Sequence, residues 1–94
     1  MGGAAMTKQI TLKFYADPGH GWVAVKRRML SNLEIADLIT PYSFQKGDTV
    51  YLEEDQDLGT LMQALTGRGI GVRFKEKHTN RYSPIRRFDS YCAE

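Results

Sequence analysis

QITLKFYADPGHGWVAVK, residues 9–26, decides the fold. Ile10, Leu12 and Phe14 alternate with Thr11, Lys13 and Tyr15, the period of a strand with one buried and one wet face. Pro18-Gly19-His20-Gly21 breaks the pattern, because proline presets its own backbone angle and glycine accepts angles that other residues resist. Trp22–Lys26 then resumes as a second strand. A short glycine-bearing break between two such runs reads as a chain reversal, and the two strands pair antiparallel.

The same grammar repeats downstream. VKRRMLSNLEIADLIT, 25–40, carries Met29, Leu30 and Leu33 at helical spacing. Asn32 interrupts it, Ile35, Leu38 and Ile39 make a second short turn, and Pro41 stops it. YSFQKGDTVYLEE, 42–54, reads as a second hairpin with Gly47-Asp48 at its tip. EDQDLGTLMQALTGRG, 54–69, is the clearest helix: Asp55 or Asp57 caps its start, and Leu58, Leu61, Met62 and Leu65 form one apolar stripe. IGVRFKEKH, 70–78, alternates again, with Ile70, Val72 and Phe74 inward and Arg73, Lys75 and Lys77 outward. Pro84 limits RYSPIRRFDSY, 81–91, to an edge strand or an irregular tail.

This order predicts an α+β fold: one small domain, a mostly antiparallel sheet with two helices packed on one face. Residues 9–91 make the domain, between a disordered small-residue leader at 1–8 and a frayed tail at 92–94. Ninety-four residues, 41% hydrophobic and 26% charged, suit one globular domain with a thin core. Cys92 has no second cysteine to pair with, which excludes a disulfide scaffold and points to the reducing cytoplasm. No apolar run approaches the roughly 20 residues that span a bilayer, so no membrane partner is expected.

Charge is unevenly spread. The formal net charge is only +2. Yet Asp48, Glu53, Glu54, Asp55 and Asp57 lie in a central run without a base, and Arg68 to Arg87 holds seven bases against Glu76. RFKEKHTNRYSPIRRF, 73–88, interleaves Arg73, Lys75, Lys77, Arg81, Arg86 and Arg87 with Phe74, Tyr82 and Phe88. Bases neutralise phosphates and planar rings stack on nucleobases, so this mixture suits a nucleic-acid surface. A solvated strand face blunted by lysines looks the same.

Catalytic and metal signals are weak. His20 beside Asp17 is the one general acid–base candidate, and an exposed turn histidine is the simpler reading. Asp17, His20 and His78 have no recognised ligand spacing, and no metal or cofactor is expected. GRGIGV, 67–72, follows a helix and opens a strand, the reverse of a dinucleotide-binding loop. Trp22 reads as core, while Tyr15 and Tyr51, out of phase with the inward residues, read as exposed aromatics.

FYADPGHGW (14–22), YSFQKGDTVYLEED (42–55) and IRRFDSY (85–91) together resemble a group of short, uncharacterised bacterial proteins associated with phages, plasmids and other mobile elements. The likeness spans Ile10 to Tyr91, and Lys26 stands where the group more often has proline. It implies context alone: a small accessory protein in a bacterial cytoplasm that binds a host protein or nucleic acid, defence machinery included.

The leading expectation is a non-enzymatic binding module, docking a bacterial protein or nucleoprotein through charged surface. The acidic contact would be Glu53, Glu54, Asp55 and Asp57 with Tyr51 beside them; the basic strip is the other. The alternative is direct DNA or RNA binding by Arg73, Lys75, Lys77, Arg81, Arg86 and Arg87. A small enzyme built on His20 stands third. An edge-forming C-terminus leaves a homodimer open. The body is expected to be poor in pockets, its glycine bends architectural.

Overall fold

A computed structural model describes residues 8–93. Strands β1 (Lys8–Ala16) and β2 (Gly21–Lys26) form the first hairpin, and helix α1 (Arg27–Asn32) follows with a 3-10 turn at Ala36–Leu38. β3 (Phe44–Lys46) and β4 (Thr49–Glu53) form the second hairpin, before helix α2 (Asp57–Gly67) and strand β5 (Ile70–His78). A 3-10 turn at Pro84–Arg87 leads into the two-residue strand β6 (Asp89–Ser90). The fold is α+β, with a sheet ordered β5-β1-β2-β4-β3-β6.

Every pairing is antiparallel except β1 with β5, which runs parallel from Lys8 opposite Ile70 to Ala16 opposite His78. The sheet is therefore mixed. The reason lies in α2: a helical crossover returns the chain to the end of the sheet where β4 began, so β5 enters in the same direction as β4 and β1. Lys8 already belongs to β1, so the domain begins one residue before the expected boundary, and the rest of that leader lies outside the described residues. At the other end the Cys92 backbone is tied down: its N–H donates to Gln45 Oε1 and its carbonyl accepts from Arg27.

Both helices cover one face. Leu12, Val23, Val25, Val50 and Leu52 from the sheet meet Leu30 and Leu33 beside α1 and Leu61 and Leu65 of α2 in one core cluster. Tyr91 joins that cluster from the C-terminus, its hydroxyl donating to the Ala36 carbonyl.

Helix α1 ends at Asn32, where the sequence interrupts the apolar pattern, and the second short turn follows at Ala36–Leu38. Glu34 adopts a left-handed backbone, φ 60°, and its N–H bonds the Ser31 carbonyl while the Ile35 N–H reaches back to Leu30. That paired pattern is the Schellman stop, which glycine normally supplies. Ile35 and Leu30 are both buried, the hydrophobic contact that accompanies the motif.

Helix α2 starts differently from its expected cap. Glu53, at the end of β4, accepts from the backbone N–H groups of Asp55, Gln56 and Asp57 at 2.8, 2.8 and 2.6 Å. One carboxylate thus satisfies the N–H groups of the two residues that lead into the helix and of its first residue, Asp57, which would otherwise be orphaned. Asp57 instead turns inward, wholly buried, and accepts from the Thr40 N–H and from the Thr40 and Ser43 hydroxyls. Asp57 and Leu61 lead the buried stripe with Leu65, whereas Leu58 and Met62 are half-buried.

Candidate functional site

The turn at 17–21 is built around the Asp17 carboxylate. Its Oδ1 accepts from the backbone N–H groups of Gly19 and His20, and the Asp17 N–H closes the loop onto the His20 carbonyl. Its Oδ2 accepts from the Ser83 N–H at 2.9 Å and from Arg86 Nε at 2.6 Å, while Arg86 Nη2 reaches Oδ1 at 2.9 Å. The Arg86 guanidinium, helped by the backbone donors, outweighs burial and holds this carboxyl far below the usual aspartate range.

The glycines of this turn serve space rather than unusual angles, since neither Gly19 nor Gly21 has a positive φ. A Cβ on Gly19 would sit 2.8 Å from Arg86 Nη2, and one on Gly21 would sit 2.5 Å from the Phe14 ring. The bend is architectural, but through close approach.

Arg86 lies over Trp22, 5.7 Å from the ring centroid, and over Tyr82 at 4.5 Å. It belongs to a C-terminal strap. Thr79 bonds the Ala16 carbonyl, Phe88 packs on Tyr51, β6 pairs with β3, and the Tyr91 N–H bonds the Ser43 carbonyl. The strap thus crosses the outer face of the sheet from the β5 side to the β3 side and covers one end of it.

Beside the strap lies an open groove of about 510 Å³. Trp22, only 2% exposed, forms its floor. His20, Tyr42 and Phe44 supply further rings, and Glu53 and Asp55 supply carboxylates. Aromatic residues far apart in sequence meet here, where the hairpin turn, β3 and the strap converge. Asp17 takes the backbone N–H of His20, not its ring. His78 pairs with Glu76, and among the described residues no group of three His, Cys, Asp or Glu side chains could hold a metal ion.

The other half of the outer face is open and basic. Residues directly opposite one another in a sheet share a face. The register aligns Arg73, Lys75 and Lys77 with Thr11, Lys13 and Tyr15. It continues through Ala24 and Tyr51 on β2 and β4, and through Lys26 and Lys46, both opposite Thr49. Lys13, Lys26, Lys46, Arg73, Lys75 and Lys77 are all exposed on this one face. None of the six is in an ion pair among the described residues. Tyr15 and Tyr51 are half-buried rather than exposed: their rings meet edge-on at 6.1 Å beside Lys13, Ala24 and Lys26, and Phe88 of the strap lies on Tyr51. Burial, with Tyr15 alongside, pushes the Tyr51 hydroxyl above its ordinary pKa, so it stays neutral.

The chain matches no protein-family model, no curated protein and no solved structure.

The expected site residues divide. Arg73, Lys75 and Lys77 stand together on the open face, and Arg81 and Arg87 are exposed beyond it. Arg86 is committed to Asp17. Glu54 and Asp55 are exposed; Glu53 caps α2. Asp57 has no exposed surface to offer a partner, which corrects its place in the acidic contact. Its inward turn follows from the Thr40 and Ser43 donors, which need an acceptor inside. Tyr51 shares the outer face with Glu53, two residues along β4, and with the basic strip. Sequence reading misses Lys13, Lys26 and Lys46, which only the strand register brings to the basic strip.

Among the described residues no helix is long and apolar enough to cross a membrane.

Proposed function

We propose that the protein is a non-enzymatic binding module that holds a single nucleic-acid strand across the open half of its sheet. One observation carries this reading: six cations, none in an ion pair among the described residues, share one face with Tyr15 and Tyr51, Lys46 resting on the Phe88 ring of the strap and Glu53, the strand acid of that face among the described residues, lying at its far end. Unpaired cations at this density repel one another, and a polyanion relieves that repulsion while releasing its own counterions. Rings on an open sheet stack with unpaired bases, each such contact contributing about 1–3 kcal/mol, whereas the bases of a duplex are already stacked. Single-stranded DNA or RNA therefore fits better than a duplex.

On this reading the protein works in the bacterial cytoplasm as a mobile-element accessory protein, an assignment supported by the resemblance of its FYADPGHGW and KGDTVYLEED stretches.

The test is a titration of labelled oligothymidylate, with the matching duplex alongside, at two salt concentrations. The single strand binds more tightly, and for about four neutralised phosphates the log–log salt slope is near −3. The double variant Lys13→Glu/Lys75→Glu loses at least about tenfold in affinity at low salt. Absence of binding at low salt, or binding indifferent to the double variant, rejects the reading.

A further inference from the structure

We infer that the groove at the strap end of the same face is a second site, one that takes an arginine or lysine side chain presented by a partner protein. It stands apart from the nucleic-acid reading and does not depend on it.

The one cation lining the groove, Arg86, is already neutralised by Asp17, so Glu53 and Asp55 leave the lining net negative. Glu53 is held rigidly by three backbone donors. Asp55 is exposed, and its carboxylate has no hydrogen bond or ion pair among the described residues. A phosphate or an acidic peptide is repelled here; a cation is attracted.

The rings sharpen the choice. Tyr42 is 75% exposed at the rim, an unusual position for an aromatic residue without a partner. Aromatic faces attract cations, and guanidinium in particular stacks on them. The chain already uses this chemistry at Arg86, where Trp22 and Tyr82 supply faces and Asp17 supplies the counter-charge. The groove presents the same combination of ring and carboxylate outwards. Its volume, about 510 Å³, accommodates a long side chain with the neighbouring backbone. A face that accepts a polyanion at one end and a cationic side chain at the other suits a nucleoprotein whose protein component is basic.

Trp22 is the only tryptophan and floors the groove, so it reports binding directly. The probe is the peptide Gly-Gly-Gly-Arg-Gly-Gly-Gly, with its neutral citrulline counterpart as control, followed through the Trp22 indole signal by NMR. The arginine peptide shifts that signal saturably, and the citrulline peptide binds about fivefold more weakly or not at all. Asp55→Asn and Tyr42→Ala, both at exposed positions, each weaken the arginine peptide by about fivefold while leaving the far-ultraviolet spectrum and oligothymidylate affinity unchanged. No saturable shift with the arginine peptide, equal response to citrulline, or displacement of the peptide by thymidylate overturns the inference. Oligonucleotide binding at the lysine face is read separately, so the two proposals fail independently.

Discussion

Arg86 closes its Nε and Nη2 onto both oxygens of Asp17, at 2.6 and 2.9 Å, across 69 residues of sequence. The aspartate side chain has no exposure to solvent. This contact ties the first hairpin to the C-terminal strap, and thereby fixes both the groove and the boundary of the open basic face.

Its strength depends on pH with a definite sign. Asp17 is harder to protonate in the folded chain than at its ordinary value of 3.8. Its contribution is therefore fully present above that value and is lost as pH falls below it toward the folded pKa. Asp17→Asn lowers the melting temperature most near neutrality, and the gap to the parent protein narrows below about pH 4. Melting curves across that range check it; a gap that widens in acid contradicts the assignment. Gly19→Ala, which crowds Arg86 Nη2, shifts stability in the same direction by a smaller amount.

Glu34 makes a prediction of the opposite sign. A left-handed backbone strains any residue with a Cβ, and the Arg68 partner at 3.9 Å is too exposed to compensate. Glu34→Gly stabilises the protein by about 0.5–1 kcal/mol, measured by urea unfolding. A loss of stability would show that the Schellman stop is not what ends α1.

Asp57 separates a structural role from a docking role. Asp57→Ala strips the acceptor from the Thr40 N–H and from the Thr40 and Ser43 hydroxyls, and costs about 3 kcal/mol in the same unfolding assay. Asp55→Ala, exposed on the adjoining loop, changes stability by less than about 0.5 kcal/mol.

Leu61, wholly buried in α2, tests the core itself. Leu61→Ala costs about 2–5 kcal/mol, whereas truncating half-buried Met62 costs distinctly less. Equal costs would mean that the helix presents a different face to the sheet.

Much of this architecture is legible in the sequence because local signals and packing agree. Alternation from Ile10 to Tyr15 and from Ile70 to Lys77 sets which side chains face the helices, and Gly47-Asp48 marks the second hairpin. Two things escape local reading. The parallel docking of β5 on β1 depends on where α2 delivers the chain, so the convergence of Lys13, Lys75 and Lys26 has no signature in any one segment. The partners of charged groups escape as well. Asp17, Glu53, Asp57 and Arg86 look like free surface charges, yet each is spent inside the fold, on a turn, a helix start, a loop and a strap. Acidic runs and basic runs are visible in the sequence; which of their members remain free is decided by tertiary contacts.

The nucleic-acid reading is tested most directly by mapping backbone amide shifts on addition of a short oligothymidylate at low salt. The largest shifts are expected along Thr11–Tyr15, Ala24–Lys26, Thr49–Tyr51 and Arg73–Lys77, with little change in α2. Shifts centred on the helices, or none at all at low salt, would contradict it.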